Sequence, residues 1–175
     1  KVNGAGSFSA DASSGVYTVS SVTQPSAGDV ITVYLDDETE DAVLVTRYSS
    51  GNLTGINLYQ NRVIIRHEDS GPVTNTNLDQ WDSGNDADIP FTVTTGALTV
   101  ANTAKLYIWA GKTFTPGGTV TTSPGSAPGG DVFIGSGSTL SIGTNAVSVG
   151  GSWDNNGTYT ASSGQKTTFT ATTTG

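Results

Sequence analysis

Apolar residues come along this chain in short runs of β-branched and aromatic side chains, broken at close intervals by turn residues. Val16-Tyr17-Thr18-Val19, Val30-Ile31-Thr32-Val33-Tyr34-Leu35, Ala42-Val43-Leu44-Val45-Thr46 and Arg62-Val63-Ile64-Ile65-Arg66 each read as a strand, and Leu58-Tyr59 as a shorter one. Ser26-Ala27-Gly28-Asp29 and Ser49-Ser50-Gly51-Asn52 read as turns. The reversal Asp36-Asp37-Glu38-Thr39-Glu40-Asp41 predicts that the strand after it returns antiparallel to the strand before it. Leu78-Asp79-Gln80-Trp81 predicts one helical turn, with Asn75 or Thr76 as its cap. Short strands at this spacing suggest a small sandwich, or strands that cap a solenoid.

The second half repeats. Leu106-Tyr107-Ile108 and Gly111-Lys112-Thr113-Phe114-Thr115 match Val132-Phe133-Ile134 and Gly137-Ser138-Thr139-Leu140-Ser141 at a constant offset of 26 residues. Gly117-Gly118-Thr119-Val120 is echoed by Gly150-Gly151-Ser152-Trp153. Further short strands are expected at Leu98-Thr99-Val100, Ala146-Val147-Ser148-Val149 and Thr167-Thr168-Phe169-Thr170, between Gly and Asn corners. A fixed period of strand, corner and strand is the pattern of stacked architectures. Residues 123–130, rich in Pro, Gly and Ser, read as an insertion. The expected fold class is therefore all-β. A strand-rich or β-sandwich-like part over residues 1–92 is followed by a β-solenoid, β-helix-like part over residues 93–175.

Charge marks the same division. Thirteen of the fifteen Asp and Glu residues lie between Asp11 and Asp88. Only 34 % of the 175 residues are hydrophobic and 13 % charged, with three Trp, six Tyr and five Phe among the strands. A disordered chain carries few such aromatics. A net charge of −8 excludes the basic face of a nucleic-acid binder, and no stretch approaches the length of a membrane span. Cysteine is absent, so thiolate metal sites are excluded, and with His67 as the single histidine a His-based zinc site or a conventional Ser/His/Asp triad is hard to build. Methionine is absent too, which points to a processed product or a slice of a longer chain.

The stretch Gly150-Gly151-Ser152-Trp153-Asp154-Asn155-Asn156-Gly157-Thr158-Tyr159-Thr160-Ala161 resembles the rungs of very large, repetitive, Thr/Gly-rich bacterial surface proteins of the adhesin type. Residues 61–68, 86–92 and 168–175 are similar to theirs as well, so the resemblance covers most of the chain from about Tyr59 onward. It implies surface display, strands stacked in β-helical rungs, and a structural or adhesive role. No catalytic residues come with it. It also implies a unit of a longer array, with Gly175 near the Lys1 of a neighbouring copy.

Candidate chemistry is sparse. Asp82, Asp86 and Asp88 alternate along a loop that also holds Gly84 and Asn85, a spacing that suits a calcium ion, with Asp79 nearby; a plain acidic loop is the alternative. The run 36–41 reads as a solvated hairpin tip or a second calcium loop. His67 reads as a paired surface histidine or a general base, without a G-x-S-x-G nucleophile motif to serve. Trp109 alternates onto the face of Tyr107, opposite Leu106 and Ile108. Trp109, Tyr107 and Trp153 are therefore the candidate ligand or subunit contacts, for sugar rings or for another copy. Trp81 is a further aromatic candidate. Lys105 or Lys112 beside an Asn would allow an isopeptide cross-link. The solenoid-like half holds two acids, thin for a glycoside hydrolase.

These readings order the functions. First comes an extracellular structural subunit or repeat of a surface filament or adhesin, whose exposed strand edges at both ends drive head-to-tail assembly with copies of itself. A carbohydrate-binding or cell-adhesion module facing surface glycans comes second. A polysaccharide-active enzyme comes last, and the expectation is that the chain is no enzyme. Apart from calcium, no cofactor is expected.

Overall fold

The structure, a computed structural model, describes residues 1–171. Its fourteen strands lie in three mostly parallel sheets, and one helical turn joins them. All-β is the class. Expectations for Thr172 to Gly175, including Gly175 beside a neighbour's Lys1, lie outside the described residues.

The first strands follow from β-branched runs. Strand β1 (Val30–Tyr34) and strand β2 (Ala42–Arg47) form the expected antiparallel pair across the acidic reversal. Strand β3 (Arg62–His67) then lies parallel to β2, from Ala42 opposite Arg62 to Arg47 opposite His67. A parallel neighbour needs a crossover, and residues 48–61 supply it. That crossover passes over the sheet's outer face: the Arg66 guanidinium donates to Gly55 O at 2.8 Å, and the Tyr17 hydroxyl donates to Ile56 O. Leu44 and Ile64, which point away from the core, are thereby fully buried. The first part therefore forms no separate sandwich: β1 to β3 are one flank of a six-stranded sheet.

Helix α1 (Asn75–Leu78) begins three residues earlier than expected. Thr74 is the true cap, because its side chain and that of Asn77 satisfy each other's backbone N–H groups. Strand β4 (Phe91–Thr94) and strand β5 (Ala97–Val100) form a tight hairpin through Thr95 and Gly96, both at positive φ. No strand forms over residues 16–19 or at Leu58-Tyr59. Val16 makes only an isolated bridge to Ser13 and is 69 % exposed, having no apolar partner.

Three strand triplets follow. They are β6 (Lys105–Ile108), β7 (Thr113–Phe114) and β8 (Val120–Thr122); β9 (Val132–Ile134), β10 (Thr139–Gly143) and β11 (Val147–Val149); and β12 (Trp153–Asn155), β13 (Thr158–Ala161) and β14 (Thr167–Phe169). Each triplet adds one strand to each sheet, giving the orders β1-β2-β3-β6-β9-β12, β13-β10-β7 and β14-β11-β8-β5-β4. The 26-residue repeat is the register itself: Leu106 pairs with Val132, Tyr107 with Phe133, Thr113 with Thr139 and Phe114 with Leu140. The Gly117 to Val120 echo is not structural, since Val120 pairs with Val147 and Trp153 with Val132. Residues 123–130 are strand-free, as expected of an insertion.

Inward positions alternate with outward ones and form one buried cluster, from Val30 in β1 to Val149 in β11. Phe114 is fully buried within it. Asn75 is the main polar tie: its amide donates to Gly96 O at 2.7 Å and to Thr119 O at 3.1 Å, joining two corners. Gly157 packs its Cα onto the carbonyls of Ser138 and Gly135, where a Cβ would collide. Phe114→Ala should cost about 3–5 kcal/mol, read as a lowered urea midpoint with an unchanged slope. A loss below 1 kcal/mol would contradict the burial described.

Candidate functional site

A sheet's outermost strand leaves a row of N–H and C=O groups that must find partners or water. At the N-terminal side, all three sheets have their outermost strand covered. On β1, Asn3 N donates to Val30 O and Val30 N to the Asn3 carboxamide, both at 2.8 Å, while Thr32 N donates to Lys1 O at 3.0 Å. On β4, Ser83 N donates to Phe91 O at 2.9 Å, and Val93 N donates to a carboxylate oxygen of Asp82 at 2.7 Å. On β7, Val73 N donates to Thr113 O at 3.1 Å, and Val73 O accepts from Thr115 N at 2.8 Å.

Among the described residues the opposite side is bare. Among the described residues nothing pairs with the outer edges of β12, β13 or β14. The inward positions also change character there. The preceding triplet buries Val132, Ile134, Leu140, Ile142, Val147 and Val149; the last presents Trp153, Tyr159 and Phe169. Trp153 meets Tyr159 edge-on at 5.1 Å between centroids and Phe169 at 6.3 Å. Phe169 is 59 % exposed although its register partner Val149 is buried. Trp153 thus sits at the end of the core, apart from the other two aromatic candidates.

Tyr107 and Trp109 share the outer face of the six-stranded sheet, as their alternation implied. Tyr107 stacks on Phe133 at 4.7 Å and 10° between planes, about one strand spacing. Trp109 stacks on Tyr59 at 6.1 Å. Arg62 lies over the rings of both Tyr59 and Tyr107, at 5.0 and 5.4 Å. Rings stacked along the sheet turn their edges outward, so most of this column consists of aromatic and cationic faces already in use. Tyr59 also borders a shallow cleft of about 330 Å³ with Tyr17, Asn57 and Gln60. Trp81 packs against the core, with the Lys1 ammonium 4.4 Å from its ring centre.

The acidic loop divides by role. Asp82 is buried; one carboxylate oxygen takes Gly84 N at 2.9 Å and the other takes Val93 N, so it acts as a cap on β4. Asp86 and Asp88 turn instead toward Asp36 of the reversal, and carboxylate oxygens of these three lie within 4.8 Å of one another. Each of the first two already accepts protein donors. Asp86 takes the Tyr34 hydroxyl at 2.7 Å and Asp88 N at 3.1 Å, and Asp88 takes Asp37 N at 2.6 Å. Burial, then the hydrogen bond to Asp86, pushes the Tyr34 hydroxyl well up, keeping it a donor.

Both ring nitrogens of His67 are committed: Nδ1 is 2.8 Å from Asp69 O, and Nε2 accepts from Thr113 N at 2.9 Å. It holds β3 to β7. Lys112 reaches His67 O at 2.5 Å and Glu68 at 3.5 Å, and Lys105 reaches Asp131 at 3.5 Å, so both lysines face carboxylates. Burial pushes the Glu68 carboxyl up, but the hydrogen bond from Arg66 and the charges of Arg66 and Lys112 outweigh it and hold the group below its ordinary value of 4.5.

No family model, curated protein or solved structure matches this chain. No helix among the described residues is long and apolar enough to cross a membrane.

Two outcomes follow. Asp82→Ala should lower the melting temperature by the same amount with calcium or with EDTA, because it removes a backbone cap; a loss confined to calcium-containing buffer would make Asp82 an ion ligand. Glu68 is stabilising above its unfolded value, and that contribution is lost as pH falls through its lower folded value. Glu68→Gln should therefore flatten the acid limb of stability measured below about pH 4.5. A limb as steep as in the unsubstituted protein would show that the ion pairs contribute nothing.

Proposed function

We propose that the chain is a structural module of an extracellular surface filament or adhesin, a β-solenoid-type stack of rungs that extends by strand pairing at one end. The observation that carries this reading is the contrast between its sides among the described residues: covered edges on β1, β4 and β7, bare edges on β12, β13 and β14. Three bare parallel edges, arranged around one aromatic cluster, favour another rung as their partner. The covered end replaces the expectation of open edges at both ends. Arg47, Arg66, Lys105 and Lys112 pair with Asp69, Glu68 and Asp131 and tie strands and loops together, which supports a role in architecture. Isolated from its native setting, the protein should run as part of an assembly much larger than 17.8 kDa. Recovery of a lone 17.8 kDa species from that setting would sink the reading.

A second reading, binding to a surface glycan, is favoured by the Tyr59 cleft, which Tyr17 and Tyr59 line together with the amides of Asn57 and Gln60. Glycan-array binding by the monomer, abolished by Tyr59→Ala, would favour it. An array with no bound sugar would remove it.

A further inference from the structure

We infer that Arg62 makes the Tyr59 cleft a site for an acidic sugar, its guanidinium holding the carboxylate of a uronic acid. The inference rests on the second reading above, glycan binding at this cleft, and names the class of sugar. The chain holds seven Lys and Arg against fifteen Asp and Glu, so a cation with no acid beside it stands out. Arg47, Arg66, Lys105 and Lys112 each pair with a carboxylate. Arg47 and Arg66 also spend N–H groups on the backbone carbonyls of Pro72 and Gly55. Among the described residues Arg62 does neither.

What holds Arg62 is aromatic. Its guanidinium lies over Tyr59 at 5.0 Å and over Tyr107 at 5.4 Å. A ring attracts a cation through its π face and takes up no hydrogen bond in doing so. The five N–H donors lie in the guanidinium plane and keep their capacity. A parallel pair of them matches the two oxygens of a carboxylate. The rings also restrain the side chain before any ligand arrives, so less freedom is lost on binding.

Register sets this group at the rim of the cleft. Arg62 on β3 stands opposite Ala42 on β2, and Ala42 lines the cleft of about 330 Å³ together with Tyr59, the ring that the guanidinium covers. None of the lining residues is charged. Asn57 and Gln60 offer amides to hydroxyl groups, and Tyr17 and Tyr59 offer aromatic surface to a pyranose ring. The acids nearest in sequence are engaged elsewhere. Asp36 has a carboxylate oxygen within 4.8 Å of those of Asp86 and Asp88, and Asp41 accepts from the Thr103 hydroxyl at 3.4 Å. A neutral sugar would use the cleft and leave the Arg62 donors idle, whereas a uronic acid uses both.

Calorimetric titration of the full chain with trigalacturonic acid, with its methyl ester and with a neutral galactose trisaccharide tests this. The acid should bind about tenfold more tightly than the ester, the advantage of a charge-assisted pair over a neutral contact. The difference should shrink as salt is raised. Arg62→Gln should abolish the preference for the acid and bind the ester as before, with an unchanged circular-dichroism spectrum. Arg62→Lys, which keeps the charge and loses the fork, should retain only part of the preference. Acid and ester bound alike by the unsubstituted chain, or a preference that survives Arg62→Gln, would overturn the inference and leave the glycan reading standing. Binding of none of the three sugars would overturn it as well, and the wider glycan array then decides the glycan reading by itself.

Discussion

Parallel strands cannot satisfy their own backbones. Each needs a neighbour on both sides, and every sheet must stop somewhere. In this chain that requirement is met three times at one side, each time by different chemistry. The N-terminal residues pair with β1, the Asp82 carboxylate and Ser83 N stand in for a strand beside β4, and a single residue, Val73, bridges to β7. The antiparallel hairpins β1–β2 and β4–β5 belong to the same arrangement, since they end two parallel sheets with strands that fold back locally. The core depends on these closures. Val30, Val93 and Phe114 are buried although the strands that carry them are outermost.

Charged and polar side chains serve that architecture. Arg47 pairs with Asp69 and donates to Pro72 O, Arg66 ties β3 to Glu68 and to the crossover, and His67 joins two sheets through Nε2 while its Nδ1 meets the nearby Asp69 O. Asp86 and Asp88 hold the reversal against the loop through Tyr34 and Asp37 N. An acid-rich first part is thus compatible with a small number of specific backbone and hydroxyl donors, each occupying a carboxylate oxygen.

Much of the second half was legible in the sequence. The offset that relates Leu106 to Val132 and Phe114 to Leu140 survives as strand register because inward aliphatic positions and glycine corners must superpose from one triplet to the next. The alternation that set Tyr107 and Trp109 against Leu106 and Ile108 was equally direct. The echo of residues 117–120 at 150–153 misled, because a glycine pair before a strand recurs at any corner and does not say which sheet follows. The parallel pairing of β2 with β3 was hidden, since a crossover such as 48–61 has no pattern of its own. The role of Asp82 was hidden too. Alternating acids in a loop look alike in sequence, and only burial separates the one that caps a strand from those that reach the hairpin tip. The helical turn was displaced because Thr74 and Asn77 form a reciprocal cap in which Asn takes the place usually held by Glu or Gln.

The closed side also makes the triplets unequal. The triplet β9, β10 and β11 has a strand on both sides in each sheet, whereas among the described residues β12, β13 and β14 have a neighbour on one side alone. The strands that carry Trp153, Tyr159 and Phe169 are therefore held by half as many ladders, and their amides should exchange with solvent first.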